Sequence, residues 1–124
     1  RFGLYDRVLI KDNHRFLWGG GRLDHAVRKA RARFPRLEIE IEVENLDQLM
    51  VALQGRPDWV LLDNMKPAEL RQCVRACRGK CRTEASGSIT LSNLRRVART
   101  GVDAVSIGAL THSAPAMDLS LEFV

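Results

Sequence analysis

The 124-residue chain lacks any long apolar run: charged or polar residues interrupt every hydrophobic stretch after a few positions. Nothing in it therefore reads as the ~20 apolar residues of a bilayer-spanning helix. It opens on Arg1 and not on Met, with no secretory signal, so a processed, trimmed or partial cytoplasmic chain is expected. Cysteine is scarce. Cys73, Cys77 and Cys81 are spaced by four, with no His at zinc-ligand spacing, which argues against a disulfide framework and against a zinc site. On a helix Cys73 and Cys77 share a face, where free Cys packs as a small apolar residue. The glycine run Gly19–Gly21 lacks the Lys-Ser/Thr of a phosphate-binding P-loop and reads as a connector. No Ser/His/Asp or Cys/His set suggests a covalent nucleophile.

Hydrophobic residues at 45% and charged residues at 28% are the proportions of a folded soluble domain, and the length suits one domain. Lys and Arg outnumber Asp and Glu by 20 to 15, a net charge of +5, which favours acidic partners such as phosphate esters, nucleic acid or small polycarboxylates. Most of the arginines fall on helix faces and read as solvated.

Short strand-like runs alternate with amphipathic helices. Strands are expected at Val8–Lys11, Glu38–Glu44, Trp59–Asp63, Cys81–Ser86 and Ala104–Gly108, and helices near Arg22–Arg33, Leu46–Leu53, Pro67–Arg78 and Leu91–Thr100. Asn45 with Gln48 has the pattern of a capping box, Pro67 suits a first helical position and Thr90 can cap the last helix. Gly55, Gly79 and Gly101 stand where left-handed helix caps are wanted. Repeated βα units imply a parallel sheet covered by helices. Polar or small residues close all five strands, as they do at the mouth of an α/β barrel. Since a complete barrel takes about 250 residues, the expectation is a partial TIM-like barrel of about five βα units, its first strands lying outside this chain.

Five motifs carry the chemistry. In "LEIEIEVEN", Glu38, Glu40, Glu42 and Glu44 share one strand face, and Ile39, Ile41 and Val43 the other. A row of like charges facing an interior needs cations. In "VLIKDNH", Lys11 closes a strand ahead of Asp12, Asn13 and His14, either as a binding cation or as part of a plain turn. In "LLDNM", Asp63 emerges beside Glu42 and Glu44, and carboxylates from such adjacent strand ends could hold Mg²⁺ together with waters and a phosphate; the alternative is a helix cap. "EASGSIT" and "VSIGALTHS" each end a strand in Gly and Ser. These loops, with Ser86, Gly87, Ser88, Gly108 and His112, suit a terminal phosphate.

Taken with "RFGLYDR" and "TGVDAVSIGALTHSAPAMDLSLEF", these segments resemble, in order and spacing, the carboxy-terminal portion of the quinolinate phosphoribosyltransferase family. The resemblance covers essentially residues 1–124. It implies a partial α/β barrel preceded by an amino-terminal domain absent from this chain. It also implies a Mg²⁺-assisted reaction of quinolinate with phosphoribosyl pyrophosphate, in a homodimer or higher homo-oligomer, with nicotinate mononucleotide, pyrophosphate and CO₂ as products. Membrane and nucleic acid have no part in it, and this chain is expected to be inactive alone. By position, Arg1 and Lys11 would meet the quinolinate carboxylates, Glu42 and Asp63 the ribose and its metal, and Ser86, Gly87, Gly108 and His112 the 5′-phosphate. Ser88 departs from the second Gly of many relatives, and its Cβ restricts the backbone. Partners for the glutamate row beyond Lys11 and Arg1 are expected in upstream sequence. Two other readings stand beside this one: a paralogue acting on another aromatic acid, and a non-catalytic phosphate- or nucleic-acid-binding module.

Overall fold

The computed structural model describes residues 3, 5–17 and 22–123; Arg1 and Gly19–Gly21 lie outside that set. Five strands, β1 (Arg7–Ile10), β2 (Glu38–Val43), β3 (Trp59–Asp63), β4 (Arg82–Ser86) and β5 (Ala104–Val105), alternate with six helices. The helices are α1 (Asp12–Leu17), α2 (Leu23–Arg33), α3 (Leu46–Leu53), α4 (Pro67–Cys77), α5 (Leu91–Ala98) and α6 (Ala109–His112). The strands form one sheet in sequential order, each parallel to its neighbour. A doubly wound sheet reverses its strand order at a switch point; this one does not, and the open sheet is part of an α/β barrel.

One sheet face carries the core. Ile39, Ile41 and Val43 of β2, Val60 and Leu62 of β3 and Ala85 of β4 are buried with Val27, Leu49, Ala52, Leu70, Cys73, Cys77 and Val97 from α2 to α5. Parallel strands covered in this way contribute aliphatic side chains at every second position, and Ile39, Ile41 and Val43 are the residues that the alternation placed on this face. The thiols of Cys73 and Cys77 serve as core apolar groups, as their spacing indicated.

Two aspartates set the register. Asp58, just before β3, donates its N–H to the Ile39 carbonyl at 2.9 Å, and its carboxylate accepts from the Ile39 N–H at 2.7 Å. Asp103, just before β5, repeats the device on Thr83: 3.0 Å from its N–H to the carbonyl, 2.7 Å from the Thr83 N–H to the carboxylate and 2.8 Å from the Thr83 hydroxyl. Each closes a two-way pair at the base of the preceding strand, where a parallel ladder would otherwise end in unpaired groups.

Several expected boundaries move. β1 ends at Ile10, and Lys11 begins the turn into α1, its carbonyl accepting from the His14 N–H at 3.0 Å. β2 ends at Val43, because Glu44 is drawn to the start of α3: its N–H donates to Gln48 Oε1 at 2.9 Å, while Asn45 Oδ1 accepts from the Gln48 N–H at 2.9 Å. The capping box therefore forms one residue out of register. β5 pairs only through Ala104 and Val105, then turns at Gly108 into α6. Gly79 and Gly101 have φ of 72° and 89°, as expected of caps. Gly55 does not. Arg56 takes the positive φ, 57°, and Gly55 is required by packing, since a Cβ there would lie 2.7 Å from Val27 Cβ and 2.8 Å from the Asp24 carbonyl.

Replacing Asp103 with Ala strips the buried Thr83 of the acceptor for both its N–H and its hydroxyl. The expected cost is about 1–3 kcal/mol, read as a lowered denaturant midpoint at unchanged slope. An unshifted midpoint would show that the clamp contributes nothing.

Candidate active site

The opposite sheet face gathers the polar residues. Counting back by two from Lys11, Asp63 and Ser86 gives Arg7, Trp59 and Arg82, all on the side of the glutamate row. At the amino-terminal end of the face these form a compact layer. Arg7 places its two terminal nitrogens 3.0 Å from Glu40 and 3.2 Å from Glu38, with its side chain 11% exposed. Arg82 meets the other oxygen of Glu38. The Trp59 indole lies between the two guanidiniums, 4.4 Å from Arg7 and 4.2 Å from Arg82, and donates its N–H to Glu38 at 3.1 Å. The guanidiniums are thus paired with carboxylates at their edges and stacked on the ring through their faces. Within this chain, Glu38 and Glu40 find partners on β1 and β4. They were missed because Arg7 and Arg82 open their strands, where a basic residue looks like a solvated end; the parity count is the signal that finds them.

At the carboxyl end the row finishes with Glu42, which is buried and has Lys11 Nζ at 3.6 Å from its carboxylate. Burial pushes the Glu42 carboxyl above its ordinary range; Lys11 works against that, and Asp63 and Asp12 add to it. Asp63 closes the neighbouring strand and accepts from the Asn64 side-chain amide at 2.7 Å. Lys11, Glu42 and Asp63 are therefore brought together on three adjacent strands. Glu44 is not with them; it is exposed beside α3. His14 also belongs to this edge, its Nδ1 accepting from the Lys11 N–H at 3.1 Å and so fixing the turn that aims the lysine.

The next two strand ends carry the small-residue loops. After Ser86, three of the residues nearest the turn hold left-handed backbones: Asn64 (φ 52°) on the β3 side, then Gly87 (88°) and Ser88 (53°). Gly87 is fixed twice over. Its φ suits glycine, and a Cβ would fall 2.2 Å from Asn64 Oδ1. The Asn64 N–H also donates to the Ser86 carbonyl at 3.0 Å, which stitches the Asp63 and Ser86 ends together. Ser88 keeps the left-handed conformation despite its Cβ, and its carbonyl accepts from the Asn93 side chain at 3.0 Å. At the end of β5, Gly108 lies under the His112 ring: a Cβ on it would meet Nε2 at 2.4 Å. The His112 Nδ1 is 2.8 Å from Ser113 Oγ. All expected site residues other than Arg1 thus lie on one edge of the sheet, in strand order, cations and carboxylates first and the small-residue loops after them.

The pKa direction of Glu42 sets a pH test. A carboxyl whose folded pKa is raised carries no penalty below its unfolded value and the full penalty above its folded value. The stability of Glu42→Gln relative to wild type is therefore expected to improve as the pH rises from about 4 to 8, measured by denaturant midpoints. A difference that is flat or runs the other way would mean that Lys11 more than offsets the burial of Glu42.

Comparison with known proteins bears on this edge directly. A family model described as "Quinolinate phosphoribosyl transferase, C-terminal domain" matches residues 1–122. A probable nicotinate-nucleotide pyrophosphorylase (carboxylating) of Bacillus subtilis is 40% identical over 123 residues, covering 98% of this chain and 42% of that protein. The nicotinate-nucleotide pyrophosphorylase (carboxylating) of Rattus norvegicus is 40% identical over 127 residues, with the same two coverages. The solved nicotinate-nucleotide pyrophosphorylase of Francisella tularensis superposes with a TM-score of 0.81 at 39% identity, covering 95% of this chain and 41% of that one. The chain spans about two fifths of the length of these relatives.

Proposed function

The chain belongs to the quinolinate phosphoribosyl transferase family, in its C-terminal domain, and from that premise we propose that its sheet edge forms the catalytic part of a carboxylating nicotinate-nucleotide pyrophosphorylase. The observation that carries the proposal is the convergence of Lys11, Glu42 and Asp63 on adjacent strand ends, with glycine-serine loops on the next two. In the complete enzyme, a cytoplasmic homo-oligomer by family resemblance, quinolinate and phosphoribosyl pyrophosphate would be joined there.

The residue chemistry follows the charges. Lys11, half exposed and reaching toward Glu42, offers its ammonium to a quinolinate carboxylate. Ser86, Gly87, Ser88 and Gly108 present small side chains and backbone N–H groups to the 5′-phosphate, with His112 beside them. Glu42 and Asp63 face the ribose. When pyrophosphate leaves, positive charge builds at the anomeric carbon, and two carboxylates held in a partly desolvated site stabilise it. The pyridine nitrogen attacks that carbon, the pyridinium so formed stabilises the electron pair left on the ring carbon as CO₂ departs, and that carbon takes up a proton. No protein nucleophile takes part.

Mg²⁺ fits the residues present. Among the described residues no group of three or more His, Cys, Asp or Glu could cage a metal, and Mg²⁺ is commonly held by one or two carboxylates with waters and substrate phosphates. Asp63 raises the Glu42 carboxyl, the repulsion that a divalent cation relieves. Glu42 and Asp63 would hold the ion, whose bound charge would neutralise the departing pyrophosphate.

The test uses an enzyme carrying the amino-terminal portion found in the relatives. Lys11→Ala and Glu42→Ala are each expected to lower quinolinate-dependent CO₂ release by about 10²–10⁴-fold with the fold retained by circular dichroism. Ser88→Gly, which removes the Cβ from a left-handed position, is expected to leave turnover within about twofold, whereas Gly87→Ala raises the KM for phosphoribosyl pyrophosphate at least about tenfold. Wild-type turnover in both Lys11→Ala and Glu42→Ala would overturn the site assignment. Residues 1–124 alone are expected to show no turnover.

A further inference from the structure

At the opposite end of β4 from the glycine-serine loop, two thiols stand across one turn. α4 ends at Cys77, and the chain reverses through Arg78 (φ −53°, ψ 125°) and Gly79 (φ 72°), the angles of a type II turn. The Cys77 carbonyl accepts from both the Lys80 N–H at 2.8 Å and the Cys81 N–H at 3.2 Å. This reversal carries Cys81 back over the helix end. Both cysteines line one cavity of about 210 Å³ together with Arg78, Thr83 and Asp103. Cys77 is buried and Cys81 half-buried.

We propose that Cys77 and Cys81 are a dithiol site that small disulfides oxidise to an intramolecular disulfide. The two sulfurs differ in the way stepwise exchange requires. A hydrogen bond shared with Cys77 lowers the Cys81 thiol, with Lys80 assisting and burial, Asp103 and Asp58 opposing. The same bond, together with burial, pushes the Cys77 thiol up. Cys81 is thus the accessible sulfur that favours the thiolate, and Cys77 the protected one held against it.

Written out with oxidised glutathione, the Cys81 thiolate attacks one sulfur of the reagent. A Cys81–glutathione disulfide forms, the glutathione S–S bond breaks and one glutathione thiolate leaves to take up a proton. Cys77 then gives its proton to solvent and its sulfur attacks that of Cys81, expelling the second glutathione. Two protein thiols are oxidised and one small disulfide is reduced.

Cys73 is the third thiol and the wrong partner. It is fully buried, with Sγ 3.7 Å from Met65 Sδ. It also stands one regular helical turn before Cys77, where Cβ atoms are about 5–6 Å apart, against about 3.8 Å in a disulfide. Cys77 and Cys81, by contrast, are separated by the non-helical turn at Arg78 and Gly79.

The experiment treats the native chain with oxidised glutathione and follows intact mass, free thiols and the peptide map. The expected result is a fall from three free thiols to one, with Cys77 and Cys81 linked and Cys73 reduced. Cys77→Ser is expected to stop at a single glutathione adduct on Cys81, and Cys81→Ser to lose its thiols at least about tenfold more slowly than wild type. Three free thiols persisting in the wild type, or a first adduct on Cys73 or Cys77, would overturn the assignment. The wild-type map decides the matter even if a variant fails to fold.

Discussion

The sheet depends on how the carboxylate row of β2 is matched. Glu38, Glu40 and Glu42 succeed one another on one strand face about 7 Å apart, and burying such a row without counter-charge would cost several kcal/mol per group. The parallel order supplies the cations from both sides. Arg7 reaches across from β1 to Glu38 and Glu40, Arg82 reaches Glu38 from β4, and Lys11 meets Glu42. Trp59 fills the space between the guanidiniums, so that the charged layer is also a packed one. Because side chains alternate, slipping β2 by one residue would send every glutamate into the helix layer and every isoleucine away from it. The electrostatic match and the hydrophobic core therefore select the same register, and that register delivers Glu42 to the carboxyl edge.

This also explains what could be read from the amino-acid order and what could not. The apolar half of the alternation, Ile39, Ile41 and Val43, and the strand-end residues Lys11, Asp63 and Gly87 were legible because each follows from local pattern or turn chemistry. The sequential parallel order followed from the rhythm of βα units. Lys11 was legible as a cation for the row, but the partners of Glu38 and Glu40 were not, since pairing Arg7 with Glu40 joins residues 33 positions apart through a register that no local rule supplies. The Asp58 and Asp103 clamps were hidden for a related reason: an Asp before a strand reads as a loop residue until the neighbouring strand's N–H groups are placed beside it. Glu44 misled because alternation continues through it in sequence, whereas the start of α3 competes for it and wins with two side-chain hydrogen bonds. Gly55 misled likewise, its small size answering to Val27 and Asp24 across the core and not to the helix end.

The two ends of the sheet divide the work. At the amino-terminal end Arg7 pairs with Glu38 and Glu40, Arg82 and the Trp59 N–H meet Glu38, and the Asp58 and Asp103 clamps close the backbone. At the carboxyl end Glu42 stays under tension, with burial and the neighbouring acids opposed only by a half-exposed lysine. That contrast is physically coherent. A site that binds a polyanionic substrate and a cation needs groups whose interactions are incomplete before binding, and such groups must be carried on strands whose alignment is secured elsewhere.

The same separation governs β4. Its carboxyl end holds the left-handed Gly87 and Ser88 loop, and its amino-terminal end is tied by Thr83 to Asp103, next to the Cys77–Cys81 turn. Only five residues lie in the strand; β3 pairs with all five, and β5 with Glu84 and Ala85. The strain kept at Ser88, where a Cβ occupies a left-handed backbone, is sustained by the same ladder, by the Asn93 bond to its carbonyl and by Asn64 packed on Gly87. The loop's shape is therefore imposed by the sheet and not by the preference of its own residues, which is why a serine can stand where glycine would cost less.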